Sequence, residues 1–194
     1  MQYTLIGSYP SPFVRRIRMV MEHIPYEFKP INIYEYVGGD ELKRLNPINQ
    51  IPVLLADDKK IWDSRVIFNY LNMIHRIDNL DWEDENNLTA IGGAMDAGVA
   101  LLMMKRSGID INQDIMIINR HKQRIDSILE YFSPYVKEKG MDEWRFFTMS
   151  LYSFLDWANF RGIIDKRKYP LYMNFLKAHS EREIVRSTEI PQDA

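Results

Sequence analysis

The chain has 194 residues, no cysteine, and 25 Lys plus Arg against 27 Asp plus Glu, a net charge of -2. That balance supplies no field to draw in nucleic acid or an anionic membrane. The absent thiols exclude disulfides, thiolate metal sites and a protein-thiol nucleophile.

With 46% hydrophobic residues, the chain can bury a substantial core as one large or two small domains. No apolar run approaches the ~20 residues that span a bilayer, and the N-terminus reads as a strand, so a cytoplasmic address is expected. The first element is a strand near Gln2–Ile6. Ser11 follows as an N-cap and Pro12 as the first helical residue, where a missing N–H is no loss. Phe13, Ile17, Val20 and Ile24 then recur at helical spacing, predicting a helix from Pro12 to about His23. This turn presents the Ser11 hydroxyl at the positive end of a helix, where an anion is stabilised.

An extended segment at Tyr26–Ile33 completes a βαβ unit. A short helix at Asp40–Leu45 leads into strands at Val53–Ala56 and Lys60–Trp62, joined by the Asp57-Asp58 turn. Asp63-Ser64 caps a helix carrying Ile67, Tyr70, Leu71 and Ile74. The order so far is β-α-β-α-β-β-α. Acids at Asp78, Asp81, Glu83, Asp84 and Glu85 interrupt the periodicity, and 78–86 reads as a linker between domains at 1–77 and 87–194.

Beyond it every pattern is helical. Leu88, Ile91, Met95, Val99 and Leu102 form one stripe, and Ile118, Ile125, Ile128, Leu129 and Phe132 another. An aromatic helix is expected to open at Asp142, and a last helix at about Pro170–His179 precedes a polar tail. The fold class is therefore α+β in the first domain followed by an all-α domain.

The four histidines are scattered at His23, His75, His121 and His179, so no metal site is expected. Asp110-Ile-Asn112-Gln-Asp114 copies the start of a calcium loop, but Ile115 stands where glycine is needed and His121 where glutamate is needed. It reads as a capped surface turn. Arg15, Arg16 and Arg18 read as a solvated helix face and interface partners, because nothing aromatic interleaves them for phosphate or nucleic-acid binding.

Three segments carry a resemblance in the right order: LIGSYPSPFVRRIRM at Leu5–Met19, NPINQIPVLL at Asn46–Leu55 and WDS at Trp62–Ser64. With them the chain resembles the serine-type cytosolic glutathione transferases, and its N-terminal half is also similar to the tau class. AIGGAMDAG at Ala90–Gly98, LDWANFR at Leu155–Arg161 and REIVRSTEIP at Arg182–Pro191 resemble bacterial members. The resemblance implies a thioredoxin-like domain followed by a helical one.

It also implies glutathione as co-substrate, a small hydrophobic electrophile, a homodimer and no metal. Ser11 would be the hydroxyl that stabilises the glutathione thiolate, with Ser8 and Tyr9 in the same turn as alternatives. Lowering a thiol pKa of about 8.5 by two units corresponds to roughly 2.7 kcal/mol.

The resemblance makes Pro52 a cis-proline and the Ile51 backbone the partner of the cysteinyl moiety. Asp63 would accept from the γ-glutamyl ammonium, and Ser64 would receive its α-carboxylate at a helix N-terminus. Gln50 stands where lysine is common beside the glycyl carboxylate, and it donates without charge. Arg44 is the nearby basic candidate. The electrophile pocket would involve Tyr9, Pro10, Met95, Val99 and Met103, methionine being adaptable to varied apolar ligands. A second reading comes from WDSRVIFNYL at Trp62–Leu71, which resembles stringent starvation protein A, a transferase-like protein that binds RNA polymerase.

Overall fold

In a computed structural model the chain is described over residues 1–32 and 36–191. It divides into two compact units, one formed by Met1–Asn79 with the segment from Arg182, the other by Leu80–Glu181. Ile33, the end of the expected extended segment, lies outside the described residues.

The first unit is built on a four-stranded sheet of order β2-β1-β3-β4. Its strands are β1 at Tyr3–Gly7, β2 at Glu27–Pro30, β3 at Val53–Ala56 and β4 at Lys59–Trp62. β1 pairs parallel with β2 and antiparallel with β3, which pairs antiparallel with β4. Parallel neighbours need a crossover, and helix α1 at Pro12–Val20 supplies it. α2 at Tyr36–Leu45 and α3 at Ser64–His75 complete the βαβαββα order of a thioredoxin-like unit.

Leu5, Val14, Ile17, Leu54, Ile67 and Phe68 are all essentially inaccessible and make the core on which α1 and α3 rest, whereas Ile6 packs with Ile31, Leu42 and Val53 on the other face of the sheet. Gly7 is required by a close approach. A Cβ there would stand 2.4 Å and 2.8 Å from the two methyl carbons of the buried Val14.

The C-terminal segment changes the expected domain division. Sequence reading assigned everything to residue 194 to the helical domain, but α8 at Glu183–Ser187 and its flanks group with the sheet. The reason lies in the arginines of α1, which are not solvated: Arg15, Arg16 and Arg18 are 1%, 2% and 8% exposed. Arg15 donates through Nη2 to the Val185 carbonyl at 3.2 Å and through Nε to Thr188 Oγ1 at 3.4 Å. Arg18 donates to the Ser187 carbonyl at 3.0 Å. The last carbonyls of a helix are its negative end, so they suit guanidinium donors that burial would otherwise penalise.

The second unit is all helical. α4 at Trp82–Arg106 begins inside the segment read as a linker. The acids there form its cap: the Asp84 N–H donates to Asp81 at 2.9 Å, and the Asp81 N–H donates to Asp84 at 3.3 Å. Asp84 also pairs with Arg145 at 2.7 Å. By length and composition α4 is long and apolar enough to cross a membrane, contrary to the sequence estimate, but half of its most apolar window is buried inside the protein. Gly98 lets it approach α6, at Phe146–Phe160, because a Cβ would meet Trp157 at 2.8 Å.

α5 at Met116–Tyr135 carries Pro134 in its last turn and runs into a π-helical turn at Val136–Gly140. A proline without an N–H breaks the i to i−4 ladder, which fits the change of winding just beyond it. The aromatic helix α6 therefore starts later than its expected origin at Asp142. Thr148 closes its first turn instead, accepting the Arg145 N–H at 2.7 Å and donating back to the Arg145 carbonyl at 2.9 Å.

α7 at Pro170–His179 ends on the fully buried His179, whose Nε2–H donates to the Gly140 carbonyl at 2.8 Å. Its ring lies 4.8 Å from Phe175 and 4.9 Å from Trp144, centroid to centroid.

Gly7→Ala is expected to lower the unfolding free energy by about 1–3 kcal/mol, the usual range for overpacking a tight core. Urea unfolding followed by circular dichroism would measure it, and an unchanged midpoint would contradict the close approach to Val14.

Candidate functional site

The register of the sheet determines which loops meet. Ile6 pairs with Val53, and Val53 pairs with Trp62. The exit of β1, the entry of β3 and the exit of β4 therefore lie side by side at one end of the sheet. The segments leaving that end are Ser8–Ser11, Gln50–Pro52 and Asp63–Ser64, which the sequence had separated by up to about fifty residues.

At the first of these segments, Ser11 has an extended backbone and caps α1, its Oγ accepting the Val14 N–H at a long 3.4 Å. The Ser11 N–H donates to the Ser8 carbonyl at 3.2 Å, which closes the turn. Ser11 and Ser8 are half-buried, and Tyr9 is 39% exposed. Tyr9 is not loose, however. Its ring meets Phe28 edge-on at 5.0 Å, and the Arg18 guanidinium sits over both rings, at 5.4 Å and 4.7 Å.

The second segment is shaped by a residue that the sequence reading did not single out. Asn46 is 1% exposed, and its Nδ2 donates to the Gln50 carbonyl at 2.6 Å while its Oδ1 accepts the Ile48 N–H at 3.0 Å. It thus holds the loop that delivers Gln50 and Ile51 to the start of β3. The Asn-Pro pair at 46–47 is a turn signal that could have found it. The Ile51–Pro52 peptide bond is cis, Pro52 is buried and Ile51 is half-buried. Gln50 and Arg44 are both exposed, and the Arg44 carbonyl accepts from Lys60 at 3.4 Å.

At the third segment, Asp63 adopts φ 67° and ψ 126°, a region that a non-glycine residue seldom occupies. Its carboxylate offsets that cost by capping α3, accepting the Arg65 N–H at 2.8 Å and the Val66 N–H at 3.2 Å. Ser64 is 1% exposed, and the buried Arg16 donates to its Oγ through Nε at 3.1 Å and Nη2 at 2.5 Å. Both acceptor positions of the Ser64 oxygen are then filled, leaving its O–H proton free to donate to an anion. Arg16 is a second residue that the sequence reading assigned elsewhere.

The arrangement offers hydroxyl donors at one helix N-terminus and a charge-backed hydroxyl at another. It suits a ligand with two separate anionic groups.

The pocket residues expected from the helical half lie in the other unit. Met95 is fully buried within α4, whereas Val99 and Met103 are half-buried on the same helix; Pro10 is half-buried in the first unit's turn. Among the described residues no group of three or more His, Asp or Glu side chains is placed to hold a metal ion. Asp110 of the calcium-like stretch instead accepts the N–H of Asn112 at 2.9 Å, as a turn does.

The family described as glutathione S-transferase, N-terminal domain, matches residues 5–77. The uncharacterized GST-like protein YibF of Escherichia coli (strain K12) is 25% identical over 170 residues, which cover 82% of this chain and 83% of that protein. Glutathione S-transferase U17 of Arabidopsis thaliana is 38% identical over 73 residues, 35% of this chain and 30% of that one. Among solved structures, a glutathione S-transferase from Methylobacillus flagellatus KT with glutathione bound superposes with a TM-score of 0.83. It shares 21% identity over 98% of this chain and 100% of that chain.

Asp63→Ala is expected to cost about 1–2 kcal/mol of stability by removing the α3 cap, and Asp63→Asn much less because the amide oxygen still accepts. Thermal melts of the two variants would separate them; equal losses would contradict the capping role.

Proposed function

Because the chain belongs to the glutathione transferase superfamily, we propose that it binds reduced glutathione at this end of the sheet and conjugates it, through its sulfur, to a small hydrophobic electrophile. The observation that supports this reading best is the convergence of the Ser11 turn, the Ile51–Pro52 bend and the Asp63-Ser64 cap on one sheet end.

In this reading the Ile51 backbone pairs with the cysteinyl moiety, and Asp63 accepts from the γ-glutamyl ammonium. Ser64, with Arg16 behind it, donates to the α-carboxylate, and Gln50 donates to the glycyl carboxylate. Ser11 donates its O–H to the sulfur while the amides at the start of α1 add a partial positive charge, so the thiol releases its proton to solvent more readily. The thiolate then forms the S–C bond, and the leaving group departs with the electron pair of the bond it breaks.

Ser11→Ala is expected to raise the thiol pKa and lower kcat/KM for a chlorodinitrobenzene by roughly 10- to 100-fold, the effect of about 1.4–2.7 kcal/mol. Glutathione-affinity retention and steady-state conjugation by the wild type and this variant test the proposal. Wild-type protein with neither retention nor turnover would overturn it. Absence of retention would favour the second reading, a non-catalytic interaction module resembling stringent starvation protein A, which the uncharged, exposed Gln50 supports; retention without turnover would overturn the transfer step alone.

A homodimer is part of the proposal. Val66, Met73 and Ile74 leave an apolar strip on α3 that is 52%, 73% and 36% exposed, which suits a self-complementary surface. Sedimentation at micromolar concentration is expected to show a dimer, and Val66→Lys with Met73→Lys to shift it towards monomer.

A further inference from the structure

A cleft of about 450 Å³ opens in the helical unit between α5 and the chain that joins α6 to α7. It shares no residue with the candidate thiol site. Its apolar lining consists of Ile111, Ile125, Ile163 and Ile164, each no more than 8% exposed. Its polar lining is dominated by charge, with Lys122, Arg167 and Lys168 against Asp126 and Asp165.

Most of these charges are already matched. Asp165 accepts from Arg167 Nε at 3.0 Å and Nη2 at 2.8 Å, and also caps the Arg167 N–H at 3.0 Å. The guanidinium contact holds its carboxyl down to about 2. Asp126 accepts from Lys168 at 2.5 Å and from the Tyr169 hydroxyl. Asn112 is committed to Asp110.

Lys122 is the exception. It lies one turn before Asp126 on the same face of α5 and is half-buried, yet no carboxylate oxygen among the described residues lies within 4.0 Å of its ammonium. The Lys122 stem lines the isoleucine-floored cleft, and its ammonium is, among the described residues, the one lining cation without a carboxylate partner there, open to an incoming anion.

We propose that this cleft binds a small organic monocarboxylate with a compact apolar body. The lining carries three cations and two carboxylates, so its excess is one positive charge, which a single carboxylate neutralises. A phosphate ester would bring a second charge and several oxygens that the isoleucine floor cannot pair. A neutral apolar molecule would leave Lys122 covered without a counter-ion.

The test uses 4-phenylbutyrate and its neutral isostere 4-phenylbutyramide as probes, titrated into the full-length protein and followed by amide NMR shifts. The acid is expected to bind about tenfold tighter than the amide, with the largest shifts at Gly162–Asp165 and around Ile125. Lys122→Met is expected to abolish that preference while leaving the affinity for glutathione unchanged.

Equal binding of acid and amide by the wild type, a preference that survives Lys122→Met, shifts centred elsewhere, or no binding of either probe would each overturn the assignment. None of these outcomes bears on the thiol site, whose own test is conjugation and glutathione retention.

Discussion

The pairing of β1 with β3 determines the geometry of the first unit. Because Ile6 lies opposite Val53, and Val53 opposite Trp62, three loops distant in sequence leave the sheet at the same end. A shift of one residue in either pairing would turn the buried strand faces to solvent. The register is therefore set by the core, and the alignment of the three loops follows from it. The contact between Gly7 and Val14 then seats α1 on the sheet, with its N-terminus at that end.

What the sequence disclosed of this unit was mostly local chemistry. Ser11 with Pro12, Asp63 with Ser64, and the Asp57-Asp58 turn are signals decided within three or four residues, and the structure has helices and strands where those signals put them. The arginines of α1 were misread for the opposite reason. The acceptors of Arg15 and Arg18 at α8 lie about 170 residues further on, and that of Arg16 is Ser64, so no periodicity in α1 points to them. An Arg-rich helix face looks solvated until the segment that covers it is known.

The helical unit shows the same division. Acids at 81–85 suggested a break because charge interrupts an apolar stripe, yet Asp and Glu are also what the first turn of a helix favours. Only the capping geometry distinguishes the two. The turn at Val136–Gly140 and the late start of α6 depend on Pro134, His179 and Thr148 acting together. At the candidate site, the residues proposed to face a ligand were legible through their resemblance to known motifs. Asn46 and Arg16, which support those residues from behind, were not, because their work is done through contacts across the unit.

The return of the chain to the sheet has a topological consequence. The helical unit is an insertion within the first one rather than an appendage to it, since the polypeptide leaves the first unit after Asn79 and rejoins it at Arg182. A fragment ending at residue 79 would retain every strand of the sheet, but its first helix would carry two guanidiniums stripped of the carbonyls that hold them. The thioredoxin-like unit therefore draws on chain from both sides of the helical unit, and α8 is one of its structural elements.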